Sequence, residues 1–161
     1  MDIQKGIELA REIIDVIKPH CNKIEIAGSI RRQKSIVKDI ELVVTTPDIN
    51  NLKNKLGLFL LKENKKPFVK SGNKYINFLH KGYKFDLFIA DEDNFGIIFL
   101  VRTGSAEFST RMLAQWKRVT KGGASRYGYL HDIEGKKYIT KTEDEVFELL
   151  KVDFIEPEFR A

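Results

Sequence analysis

Asp39, Glu41 and Asp86 are the side chains whose types and spacing could do chemistry together. Asp39-Ile40-Glu41 opens an alternating, β-branched run, residues 39–45 (DIELVVT). Successive side chains of a strand point to opposite faces, so Asp39 and Glu41 share one face about 7 Å apart while Ile40, Leu42 and Val44 face the core. Two carboxylates placed this way repel each other, and a divalent cation between them reverses the sign of the interaction. A lone acid–apolar–acid in a β-run is equally compatible with a solvent-facing strand edge. Asp86 narrows the choice, because an acid among Phe85, Leu87 and Ile89 in YKFDLFIA belongs to a site or to a buried pair. If its strand lies beside the first, three carboxylates converge. That set suits octahedral Mg²⁺, which takes a few carboxylates plus waters and phosphate oxygens. Two such ions about 3.5–4 Å apart suit an in-line displacement at phosphorus.

Upstream, Gly28-Ser29-Ile30-Arg31-Arg32 follows a strand directly. Glycine permits close backbone approach, the serine hydroxyl can donate to phosphate, and an arginine supplies a forked cationic donor. The motif alone also fits an ordinary strand-to-turn Gly-Ser with exposed arginines.

The elements that must position these residues follow from periodicity. Ile3, Ile7, Ala10, Ile14 and Ile17 recur at spacings of three and four, an amphipathic helix over 3–18 that Pro19 ends. Residues 23–27 and 39–45 read as strands, 31–35 as a short polar segment of at most one helical turn, and 50–63 as a helix with Leu52, Leu56, Phe59 and Leu60 on one face. Residues 67–71, 74–80 and 83–90 are three further strands, the last two joined by a hairpin turn at Lys81-Gly82. Two helices, 94–102 and 105–120, break at Thr103-Gly104-Ser105. Gly122-Gly123 opens a smaller unit with paired strands at 127–131 and 136–140, and a helix starts at Thr142, where T-x-x-E forms a capping box with Glu145. The expected fold is α+β: a mixed-sheet lobe flanked by helices, residues 1–103, followed by a small α+β lobe, 104–161.

Composition sets outer bounds. Hydrophobic residues at 42% and charged residues at 32% describe an ordinary globular chain. No apolar run approaches the roughly 18 residues of a membrane span, the amino terminus lacks a signal-peptide pattern, and the single Cys21 excludes an internal disulfide. These features point to a cytoplasmic protein. His20, His80 and His131 are dispersed, which argues against zinc. The charge is uneven. Residues 49–90 carry nine lysines against Glu63 and Asp86, whereas the last twenty residues carry seven acids and two bases. A basic middle with an acidic tail suggests a polyanion held on one face, although lysines also simply solubilise a surface.

The order of these motifs resembles the signature of the nucleotidyltransferase superfamily: Gly28-Ser29, then about ten residues to acid–apolar–acid on a strand, then a third acid on a later strand. Within it, the strand-borne Asp86, the helix break in FLVRTGSAEFSTRM and the ending TEDEVFELLKVDFIEPEFR are similar to family X DNA polymerases, the polymerase-beta-like group. The resemblance runs from about residue 5 to the end and covers the palm and the nucleotide-selecting subdomain.

It implies that Asp39 and Glu41 bind two Mg²⁺ ions (Mn²⁺ can substitute), with Asp86 the third ligand and an aid to deprotonating a primer 3′-hydroxyl. It implies nucleotide contacts from Gly28, Ser29, Arg32, Lys38, Arg102, Ser109 and the Thr103-Gly104-Ser105 turn, where the family often has a cis peptide. Lys84 falls near the primer terminus, and Arg126 and Tyr127 on a template-facing strand. The implied activity is addition of dNTPs to a DNA primer-template or gapped duplex, distributively, in short-gap filling or repair, by a monomer.

The chain departs from the pattern in several places. The acid pair is D-x-E, Lys38 replaces a glycine, Val101-Arg102 stands where many members carry an aromatic pair, Ala106 replaces an acid, and Ser109 replaces an asparagine. With about twenty residues before the first strand, no lyase or helix-hairpin-helix domain fits ahead of the palm, and the basic segment 49–90 is the expected substitute for their grip on phosphates. Tyr75, Phe78 and Tyr83 are expected to pack in the core or at an edge. Two other readings stay open: transfer of a nucleotide to RNA, protein or a small molecule, and an inactive DNA-binding subunit of the same fold.

Overall fold

Asp2 starts the first helix by accepting the Lys5 backbone N–H at 2.9 Å, a side-chain N-cap. In the computed structural model, which describes residues 1–161, helix α1 (Ile3–Ile17) buries Leu9, Ala10, Ile13 and Ile17 and gives way to a 3-10 turn carrying Pro19. Strand β1 (Lys23–Ile26) leads into a one-turn helix α2 (Gly28–Arg31), then β2 (Ile40–Thr45) and α3 (Ile49–Leu60), capped by the Asp48 carboxylate. The helical turn therefore begins at Gly28 rather than at residue 31, because the glycine enters it at φ +61° directly from the strand. Strands β3 (Lys70–Ser71), β4 (Tyr75–His80) and β5 (Tyr83–Ile89) complete a five-stranded sheet of order β1-β2-β5-β4-β3. Its β2–β5 pair is parallel and the others are antiparallel, so the sheet is mixed.

The two faces of this sheet differ. Ile40, Leu42 and Val44 of β2, Phe85 and Leu87 of β5, and Ile76 and Phe78 of β4 pack with α1 and α3 into the main core. Behind them His80 is buried with its two ring nitrogens facing Glu12 at 2.6 Å and Glu63 at 3.2 Å. The other face is half covered. Val43 meets Ala27, Ala90, Phe95 and Phe99 under helix α4 (Phe95–Thr103), while the β4–β5 half stays open.

Helix α5 (Ala106–Val119), a three-stranded antiparallel sheet β6 (Ala124–Arg126), β7 (Tyr129–His131) and β8 (Lys137–Tyr138), and helix α6 (Glu143–Leu150) follow. A second core gathers Ile97 and Leu100 of α4 with Phe108, Met112, Trp116, Leu130, Val146, Phe147 and Leu150. Helix α4 thus serves both cores. This α+β fold, a mixed sheet flanked by helices, agrees with the expectation from periodicity. Two local expectations change. Strand β6 precedes the expected pair, and Ala-Ser-Arg was not legible as a strand because it carries no apolar alternation. Thr142 caps α6, accepting Glu145 N–H at 3.3 Å, but the Glu145 carboxylate accepts from Lys141 N–H at 2.7 Å instead of closing the box on Thr142. No helix is long and apolar enough to cross a membrane.

Candidate active site

Parallel pairing of β2 with β5 puts Glu41 directly opposite Asp86. The two-residue turn at Lys81-Gly82, with both residues at positive φ, pairs His80 with Tyr83 and so places Asn77 opposite Asp86 and Tyr75 opposite Phe88. Cross-strand partners share a face, so Glu41, Asp86, Asn77 and Tyr75 all stand on the half-open side of the sheet.

Asp86 is 7% exposed and firmly held. Its Oδ1 accepts from the Tyr75 hydroxyl and from Asn77 Nδ2 at 2.8 Å, and Asn77 also donates to the Phe85 carbonyl at 3.1 Å. Its Oδ2 faces the Lys84 ammonium at 3.3 Å, and the same ammonium lies 3.5 Å from Asp39 Oδ2. The Asp86 charge, more than any other influence, raises the Lys84 pKa, while burial and the bond to Asp86 raise that of Tyr75. Tyr75 is therefore not plain packing: it stacks on Phe88 at 5.2 Å and bonds the acid. Phe78 lies in the core and Tyr83 packs against it. The turn length alone implied the Asn77–Asp86 and Tyr75–Phe88 pairings, so both donors to Asp86 Oδ1 could have been found from sequence.

Glu41 occupies a tighter place. A Cβ at Gly28 would fall 1.8 Å from Glu41 Oε2, so only glycine allows the carboxylate to lie against the start of α2. Burial first, then the charges of Asp39 and Asp86, push the Glu41 pKa up to about 7, against the opposing pull of Arg32 and Arg102. Next to it, Ser29 Oγ and Arg32 Nε are buried with no hydrogen-bond partner, which is costly unless a ligand satisfies them.

No three His, Cys, Asp or Glu side chains are drawn together as a bound metal would hold them. Asp39 and Asp86 instead share the Lys84 ammonium. The donor set still fits a hard divalent cation. All three groups are carboxylates, two are register partners, and burial together with their mutual repulsion holds Glu41 toward its neutral form.

Glu41 and Asp86 open into a cavity of about 820 Å³ whose wall includes Phe88, Ile98, Arg102, Tyr127 and Gly128. The Arg102 guanidinium lies over the Phe88 ring at 4.1 Å. Tyr127 is 84% exposed and sits in the β6–β7 turn at φ +54°, not on a strand, and Asn94 Nδ2 fastens that turn by donating to the Gly128 carbonyl at 3.1 Å. Arg126, at the end of β6, and Lys38, before Asp39, are both exposed and outside the cavity lining.

The Thr103-Gly104-Ser105 break does not reach the cavity. Thr103 is fully buried, its hydroxyl accepting from Arg31 at 2.7 Å and its carbonyl from Arg32 at 2.7 Å. Gly104 lies on the Phe108 ring, Ser105 caps α5 through the Phe108 N–H at 3.1 Å, and Ser109 donates within the helices to the Val101 carbonyl at 2.8 Å. No peptide bond in the chain is cis.

A buried network behind the site had no sequence signal. Glu143 at the start of α6 accepts both Arg31 nitrogens, at 2.6 and 2.8 Å, and both terminal nitrogens of Arg160, at 2.5 and 3.2 Å. Burial works to raise the Glu143 pKa, but the bonds from the two arginines overcome it and hold the carboxyl below the usual range. Arg160 is fully buried among Phe147, Phe154 and the Ile155 carbonyl.

No curated protein matches the chain. Residues 98–161, from the middle of α4 to the carboxy terminus, match the family model of the DNA polymerase beta thumb, so this part of the chain is related to polymerase-beta-like proteins.

Proposed function

We propose that the chain is a metal-dependent nucleotidyltransferase of the DNA polymerase kind, extending a DNA 3′-hydroxyl with dNTPs. Residues 1–103 would be its palm and 104–161 its nucleotide- and template-facing subdomain. One observation carries the reading: the Glu41–Asp86 register pair opens into a cavity whose far wall, Ile98, Arg102, Tyr127 and Gly128, belongs to the segment that matches the polymerase thumb.

Asp39, Glu41 and Asp86 would hold divalent cations. When bound, Mg²⁺ would supply charge stabilisation at the phosphates and a more acidic attacking hydroxyl. The chain's own side chains do the rest. Tyr75 and Asn77 fix the Asp86 carboxylate so that one oxygen stays directed at Lys84 and the cleft. Ser29 Oγ and Arg32 Nε, buried and unpartnered, are donors suited to phosphate oxygens. Lys84 neutralises the acids until a ligand arrives. Tyr127 offers an exposed ring at the cavity mouth to a base.

Labelled nucleotides offered with Mg²⁺ to gapped DNA, RNA, protein and small-molecule acceptors test this reading. Incorporation of dNTPs into DNA above the other acceptors is the expected result, and incorporation into another acceptor alone would replace it. One observation favours that second reading: a guanidinium, Arg102, rather than an aromatic pair, lies on Phe88 in the cavity.

A further inference from the structure

Tyr75 sets a hydroxyl of the chain itself on one of the site acids. It lies opposite Phe88 in the β4–β5 pairing and diagonally across from Asp86. Diagonal neighbours on one face are roughly 7–8 Å apart, a gap that a long aromatic side chain bridges. The ring stacks on Phe88 at 5.2 Å, and the hydroxyl donates to Asp86 Oδ1. Asn77 Nδ2 donates to the same oxygen at 2.8 Å and to the Phe85 carbonyl at 3.1 Å, which fixes the carboxylate. A hydroxyl bonded to a carboxylate that a third group orients is the arrangement of an activated nucleophile. Of the side-chain hydroxyls, that of Tyr75 alone donates to Asp39, Glu41 or Asp86. Tyr75 is only half-buried, and it lines the cavity together with Glu41, Asp86 and Arg102.

We infer that Tyr75 is a nucleotide acceptor: given a nucleoside triphosphate and no external acceptor, the chain nucleotidylates itself at this hydroxyl. The inference rests on the nucleotidyltransferase reading above and names an acceptor within the chain. Triphosphate oxygens meet the unpartnered Ser29 and Arg32 donors beside Glu41, and Asp86 stands one strand away, about 4.8 Å across the β2–β5 pair. The Tyr75 phenolic oxygen attacks the α-phosphorus and forms an O–P bond. The bond from that phosphorus to the bridging oxygen breaks, and pyrophosphate leaves with the electron pair. The phenolic proton passes to Asp86 Oδ1, to which it is already hydrogen-bonded. Burial and the bond to Asp86 both raise the Tyr75 pKa, so the proton moves as the oxygen attacks and not before. The product is a phosphodiester between Tyr75 and the 5′-oxygen of the nucleoside. A tyrosine that only steadies the acid never changes mass, and that separates the two roles.

Incubation of the folded parent with Mg²⁺ and each dNTP and NTP in the absence of DNA, followed by denaturing mass spectrometry and peptide mapping, tests the acceptor. The expected shift is the mass of one nucleoside monophosphate on the peptide that carries Tyr75, removed by a phosphodiesterase. The shift is expected to be lost in Tyr75→Phe, which keeps the ring on Phe88. DNA extension by the same preparation distinguishes the failures. A parent that extends DNA but gains no adduct overturns the acceptor alone, as does an adduct mapped to Tyr127 or any other residue. An adduct on Tyr75 in a parent that extends no DNA upholds the acceptor and moves the activity from DNA to protein. A parent that neither extends DNA nor gains an adduct from any triphosphate overturns the acceptor together with the reading beneath it.

Discussion

Glu41 is a site residue whose chemistry is displaced far from its ordinary state. Burial, then the neighbouring charges of Asp39 and Asp86, raise its pKa from 4.5 to about 7. A carboxyl with a raised folded pKa holds its proton more tightly folded than unfolded, so its contribution to stability is present below about pH 4.5 and is lost as pH rises to about 7. In buffer with a chelator, the thermal midpoint is expected to fall across that window, and Glu41→Gln, which cannot ionise, to flatten the fall. Superimposable pH curves for parent and variant contradict this account of the site. The acids themselves were legible from alternation within DIELVVT and YKFDLFIA. Their juxtaposition was not, because a parallel pair separated by forty-odd residues leaves no local trace, whereas Tyr75 and Asn77 were recoverable from the turn at Lys81-Gly82.

Helix α4 is the element on which the arrangement turns. Phe95 and Phe99 cover the sheet, Ile97 and Leu100 enter the second core, and Arg102 reaches the cavity. Its first turn is held by residues 140–142: Gly96 N–H donates to the Thr140 carbonyl at 2.7 Å and Ile97 N–H to the Thr140 hydroxyl at 3.2 Å. A Cβ on Gly96 would meet the Thr142 carbonyl oxygen at 2.2 Å, and backbone cannot yield as a flexible side chain does. Gly96→Ala is therefore expected to destabilise the protein by about 1–3 kcal/mol, the usual cost of overpacking, measured by urea unfolding. An unchanged midpoint would show that α4 and the 140–142 segment are not in fixed contact. The helix pattern of 94–102 and 105–120 was readable from sequence, but the direction of the break between them was not. Thr103, Gly104 and Ser105 serve Arg31, Phe108 and the α5 cap, partners supplied by tertiary packing alone.

Across the whole molecule, Glu143 joins two segments far apart in the chain, taking Arg31 from α2 beside the site and Arg160 from the carboxy terminus. Removing one partner of a buried ion pair strands the others, at about 3–5 kcal/mol. Glu143→Ala is expected to lose about that much stability in denaturant unfolding, and a loss under about 1 kcal/mol would mean that the network is not what holds these segments together. Sequence could suggest the ending IEPEFR only as a resemblance; its physical reason is the burial of Arg160 against a carboxylate seventeen residues earlier. The proposed catalysis would ask more of the molecule than stability does, since the sheet acids, the α2 donors and the cavity wall would have to act on one substrate. Primer extension with Mg²⁺ on gapped DNA, comparing the parent with Asp86→Asn, tests this most directly. The parent is expected to add nucleotides and the variant to lose at least about 100-fold in rate, more than the 10–100-fold typical of groups that only support a metal ligand, while remaining folded. A folded parent that adds none, or a variant that keeps the parent's rate, contradicts the account.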